Sequence, residues 1–175
     1  MRKSKIRFMV ESALIAALYA GLTYLMGFFN LAYGPIQFRV SEALTVLPVF
    51  TPAAIPGLTI GCFLANIMSF SPIDMVFGTA ASLIAAIGTY WLRKYCIKGV
   101  PLLSLLPPVL VNAVIVGLEI AFFFTEGKAS FAGFAFNALT VGLGQAVVCF
   151  GLGIPLYLMI KKYHLFDQSG GIKKD

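Results

Sequence analysis

The chain has 175 residues, of which 59% are hydrophobic and only 11% charged, and its mean hydropathy is +0.91. A soluble domain of this size does not cover its surface with so few charges, whereas helices facing lipid need none, so large soluble domains and long linkers are excluded. The net charge of +6 is spread over short basic clusters between apolar runs, which is a topological pattern and not a nucleic-acid surface.

A spanning helix takes roughly 20 apolar residues, which leaves room for about six. The expected fold is all-α, a single transmembrane domain over 1–175 with helices near 8–29, 40–51, 53–70, 75–92, 102–125 and 131–160. Arg2, Lys3, Lys5 and Arg7 precede the first apolar run, which extends to Phe29. That is longer than the h-region of a signal peptide, about 7–15 residues, so the run stays as the first span. On it Ala13, Ala17 and Gly21 recur every four residues, with Ala16 and Ala20 beside them. Small residues at that spacing let a second helix approach closely, whether from the same chain or from a separate subunit.

The second segment, 40–51, follows the Gly34-Pro35 turn and is the doubtful one. Twelve residues at about 1.5 Å each do not cross a core about 30 Å thick, so a re-entrant half-helix competes with a short span. Charge parity favours the span. With six crossings and a cytoplasmic N-terminus, eleven of the thirteen basic residues lie inside and only Arg39 and Lys128 outside. A re-entrant second segment would put Arg93, Lys94 and Lys98 outside. Pro52 and Pro56 open the third segment, Ser71-Pro72 the fourth, Gly99 and Pro101 the fifth, and Glu126-Gly127 separates the fifth from the sixth. Cys62, Cys96 and Cys149 are widely spaced among apolar neighbours and read as small buried residues, and His164 is the only histidine, so neither a disulfide frame nor a metal site is expected.

This topology assigns a depth to each polar residue. Gln37, Arg39 and Glu42 fall at the outer end of segment two, Asn66 at the outer end of segment three, and Asp74 at the outer start of segment four. Glu119 and Asn137 lie in the outer halves of segments five and six, while Asn112 and Gln145 are nearer the midplane. Ionisable groups in spanning segments are costly and usually face a cavity or each other, so this one-sided set predicts a single outward-facing pocket. Structural roles compete for some of them: Arg39 and Glu42 are spaced to pair along one helix, Asn66 and Asn112 are suited to joining helices, and Asp74 is placed to cap one. Glu119, flanked by Val116, Gly117, Leu118, Ile120 and Ala121, has no such partner in sequence. Phe28, Phe29, Tyr33, Phe38, Phe122, Phe123, Phe124, Phe131, Phe134 and Phe136 gather at the same end, a mixture suited to a small planar polar ligand. No G-x-x-x-x-G-K-[ST] loop, Ser/His/Asp set or H-E-x-x-H motif is present, and no enzyme activity or cofactor is expected.

Residues 34–48 read G-P-I-Q-F-R-V-S-E-A-L-T-V-L-P, followed by G-L-T-I-G-C-F-L-A-N at 57–66 and D-M-V-F-G-T at 74–79. With these stretches the chain resembles, over its whole length, the QueT family of substrate-binding S-components of energy-coupling factor (ECF) transporters. The resemblance implies a six-helix bundle in the cell membrane with both termini cytoplasmic. Its expected partners are a transmembrane coupling subunit and two cytoplasmic ATPases, and its ligand is a queuosine precursor, a 7-deazaguanine such as preQ1. An Ala-x-x-x-Ala face that meets the coupling subunit in S-components maps onto Ala13 and Ala17. Such a ligand offers N–H donors to a carboxylate and an acceptor oxygen to an amide or guanidinium, and an aminomethyl arm adds a cation. Glu42, Asp74 and Glu119 supply the acids; Gln37, Arg39, Asn66 and Asn137 supply the rest. The alternative is a stand-alone secondary transporter or channel for a small cation, with Glu42 and Glu119 as an ion relay.

Overall fold

The computed structural model describes residues 2–29, 39–67, 71–97, 99–124 and 130–166. Helix α1 spans Arg2–Phe28, α2 Ala54–Ile67, α3 Pro72–Leu92, α4 Leu106–Glu119, α5 Phe131–Val148 and α6 Ile154–Tyr163. Between α1 and α2 lies a 3-10 helix, Val40–Val49; a short 3-10 turn, Leu102–Leu105, leads into α4. Two π-helical turns, Ile120–Phe124 and Cys149–Gly153, follow α4 and join α5 to α6. All six expected segments are helical, and no strand occurs among the described residues.

Cross-contacts fix the direction of each pass. Ser41 bonds Thr23 while Ala53 accepts from Ser12, so the 3-10 helix runs antiparallel to α1. Cys62 meets Gly78, Thr89 meets Ser104, and Gly117 meets Ala138, so α2, α3, α4 and α5 alternate in turn. Tyr157 of α6 then reaches Gly99, back at the end where α3 finishes. That end gathers Arg7, which pairs with Glu11 at 2.8 Å, and Arg93, Lys94, Lys161 and Lys162; Lys161 donates to the Gly99 carbonyl at 3.1 Å. Arg39, Asn66, Asp74 and Glu119 lie at the opposite end, the one-sided distribution that the sequence predicts.

Four stretches are long and apolar enough to cross a membrane: Ser4–Phe28, Pro72–Leu92, Leu102–Phe123 and Phe131–Tyr163. By length and composition these suit four membrane crossings. Val40–Val49 and Ala54–Ile67 are shorter. At about 2.0 Å per residue the ten residues of the 3-10 helix extend only about 20 Å. They are instead wrapped by protein, with every residue from Ser41 to Val49 buried.

Three residues per turn stack side chains at i and i+3, and the burial follows that period. Val46 and Val49 pack on Leu105 and Tyr157; Leu44 and Leu47 pack on Ile15, Tyr19 and Leu58. The third row, Arg39, Glu42 and Thr45, is polar. Pro48 has no N–H to donate, and β-branched Val40, Thr45, Val46 and Val49 weaken the α-helical alternative. Non-α backbone of this kind is tolerated at membrane depth because protein surrounds it on all sides.

Helix α2 lies unusually close to α1 because Gly57 and Gly61 face it. A Cβ on Gly61 would stand 2.8 Å from Tyr19 Cβ and 2.9 Å from the Ala16 carbonyl oxygen. Gly61→Ala is therefore expected to lower stability by about 1–3 kcal/mol through overpacking. Gly21, with nothing within 4 Å, is the control, and alanine there is expected to stabilise helix α1 slightly. Thermal unfolding of both variants in one detergent checks the pair; equal midpoints would refute the close contact.

Candidate functional site

The polar row of the 3-10 helix faces α3, α4 and α5, and a small cavity lies between them. Arg39 and Glu42 form one wall, Gly78 and Ser82 of α3 a second, and Asn112 and Gln145 of α4 and α5 the others, with Val116 and Val141 between. Its volume is about 20 Å³, which holds about one water molecule. Pockets for drug-sized ligands run to about 300–1,000 Å³, so a two-ring heterocycle enters only if these side chains move apart.

Glu42 is the hub. It is 4% exposed, the Tyr19 hydroxyl donates to its Oε1, and Gln145 Nε2 donates to its Oε2 at 2.8 Å. The carboxylate thus ties α1 and α5 to the 3-10 helix while each oxygen keeps a lone pair for a further donor. Arg39 Nη1 donates to Asn66 Oδ1 at 3.3 Å, and Asn66 Nδ2 donates to the Asp74 carbonyl at 3.0 Å. A Cβ on Gly78 would come within 2.5 Å of that Asn66 nitrogen, so the bare glycine lets the amide cross from α2 to α3. Ser71 caps α3 by accepting from the Asp74 amide at 3.3 Å. Asp74 occupies the first turn, where a carboxylate suits the helix dipole.

Glu119 closes α4 just before the π turn Ile120–Phe124. It follows Asn112 and Val116 by seven and three residues, which places it on the same face of α4, one turn beyond the cavity wall. It is 1% exposed, and the charged groups facing it are Asp74 and Arg39. Asn137 is half-buried on the stripe of α5 that carries Val141 and Gln145, one turn beyond the cavity wall and not part of it. Gln37 lies outside the described residues. The structure thus brings Arg39, Glu42, Asn66, Asp74 and Glu119 to one end and leaves Asn137 at its edge.

Tyr19, Ser82, Asn112 and Gln145 join the site without being anticipated as site residues. A signal existed for Tyr19: Ser12, Tyr19 and Thr23 form a polar stripe on the buried face of α1. Of the aromatic residues expected at this end, Tyr33 and Phe38 lie outside the described residues, as does the side chain of Phe124, and Phe134 is half-buried. Phe28, Phe29, Phe122, Phe123, Phe131 and Phe136 are exposed on the outside of the bundle, where they suit lipid, and none lines the cavity. The small residues of α1 also divide. Ala16 and Ala20 are buried, Ala16 directly beneath Gly61, while Ala13, Ala17 and Gly21 are exposed.

Against known protein families, the model described as QueT transporter matches residues 9–162. The chain belongs to the QueT transporter family. A curated relative, the queuosine precursor transporter QueT of Lactococcus lactis subsp. cremoris (strain MG1363), is 43% identical over 84 residues, which are 48% of this chain and 50% of the relative. The chain therefore spans about half the length of the curated QueT protein it matches. No solved structure matches it significantly.

Proposed function

We infer that this QueT-family chain is the substrate-binding S-component of an ECF-type importer, capturing a queuosine precursor of the 7-deazaguanine class. The observation that carries this is the buried polar hub around Glu42, set at one end of a lipid-compatible bundle in a chain of this family. A guanine-like base edge presents two N–H donors side by side, and a carboxylate accepts such a pair. The Gln145 and Asn112 amides and the Arg39 guanidinium are suited to the ligand's acceptor atoms. Mass spectrometry of the small molecule that copurifies with the protein tests this; a 7-deazaguanine is expected, and a lipid or an unrelated solute would overturn it.

The orientation belongs to the same reading. Of the described basic residues, Arg7, Arg93, Lys94, Lys161 and Lys162 share one end and Arg39 lies at the other, a bias that supports a cytoplasmic face at the first, six crossings of the cell membrane and a site opening outward. A cysteine at exposed Phe131, in a background without native cysteines, is expected to react with an impermeant thiol reagent on intact cells, and one at Lys162 to be protected. The reverse labelling would invert the orientation.

Transport then needs an energy source that this fold does not supply. The exposed Ala13/Ala17/Gly21 face of α1 suits the close approach of a helix from a coupling subunit, itself driven by two cytoplasmic ATPases.

A further inference from the structure

Among the described residues, Glu119 is the one charged side chain whose terminal oxygens are both buried without a hydrogen-bond partner. Burying an unpaired carboxyl is expensive, and a fold that retains one gains when a donor completes it. The other charged groups of the site are already engaged: Glu42 by Tyr19 and Gln145, and Arg39 by Asn66. The groups facing Glu119 are Asp74, a second carboxyl, and Arg39. Among the described residues this end holds three carboxyls, Glu42, Asp74 and Glu119, and one guanidinium, Arg39. Glu119 lies about one turn beyond Val116, outside the cavity wall, so a substituent that reaches it extends past Asn112 and Val116.

We propose that Glu119 seats a cationic amine on the substrate, so that the site selects 7-deazaguanines with an aminoalkyl arm over neutral ones. This rests on the queuosine-precursor reading above and adds to it the part of the ligand that sets specificity. An ammonium brings the N–H donors that the Glu119 oxygens lack, at an end where the described carboxyls outnumber the guanidinium. Asp74, facing Glu119 from the first turn of α3, flanks the same seat.

The test compares two ligands that share a ring and a base-pairing edge, 7-aminomethyl-7-deazaguanine and 7-cyano-7-deazaguanine, by calorimetry on the purified full chain. The wild type is expected to bind the amine about tenfold or more tighter than the nitrile. Glu119→Gln is expected to lose about that factor for the amine while keeping nitrile affinity within about threefold, which also shows that the variant is folded. Equal losses for both ligands, or no loss for the amine, would overturn the amine seat. A wild type that binds neither ligand overturns the queuosine-precursor reading itself. A wild type that binds both equally overturns only the amine seat. Should Glu119→Gln bind neither, Glu119→Asp decides: a retained preference for the amine supports the proposal, and a lost one removes it.

Discussion

Glu42→Gln is expected to weaken binding of a 7-deazaguanine by about tenfold or more, because a hydrogen bond to a charged group contributes about 1.5–3 kcal/mol. The cause is specific to its position. A glutamine presents one acceptor oxygen and one NH2 where the carboxylate presents two acceptors. Its NH2 would then face one of the two donors that Glu42 now satisfies, the Tyr19 hydroxyl or the Gln145 amide. The substitution thus removes the ligand's partner and disturbs the links to α1 and α5 together. Titration calorimetry against the purified variant measures the effect. Unchanged affinity, with an unchanged unfolding midpoint, would remove Glu42 from the site.

Ala17→Trp is expected to leave ligand affinity nearly intact and to abolish ATP-dependent uptake. Ala17 is exposed on the outer side of α1, one turn from Gly21, whose Cβ position meets nothing within 4 Å, so a large side chain there finds room within the chain. It leaves no room for a helix to dock closely, since small residues are what permit that approach. Tyr19, two residues on, points the other way and binds Glu42, so the proposed docking face and the site-facing hydroxyl sit on opposite sides of one helix. Copurification with the coupling module and uptake by cells expressing the variant are the two readouts. Normal uptake would refute the docking face and leave the binding site untouched.

Much of this architecture is legible in the sequence because lipid removes ambiguity. Apolar runs broken by Pro, Gly and charge delimit all six segments, and α3 starts where Ser71-Pro72 supplies the capping residue. The helical type of 40–49 is not legible. Its apolar content fits an α-helix, and only burial on three faces, repeated every third residue, favours the tighter winding. The two π turns are hidden for a similar reason, since each is a one-residue adjustment made against neighbouring helices.

The site divides along the same line. Arg39, Glu42, Asp74 and Glu119 stand out because charge is rare in such segments and needs a reason. Tyr19 and Gln145 do not, since a tyrosine or glutamine in an apolar helix has many uses, and only the fold brings them to Glu42. Asn137 illustrates the converse. It carries suitable chemistry at the same end and, like Asn66, Asp74 and Glu119, does not line the cavity.

We infer that this chain binds its substrate and depends on partners to move it. The most direct measurement is uptake of a labelled 7-deazaguanine into liposomes containing the purified chain, alone or with a coupling subunit and ATPases. No uptake is expected by the chain alone under a proton or sodium gradient, and ATP-dependent uptake is expected once the module is present. Gradient-driven uptake by the chain alone would contradict this.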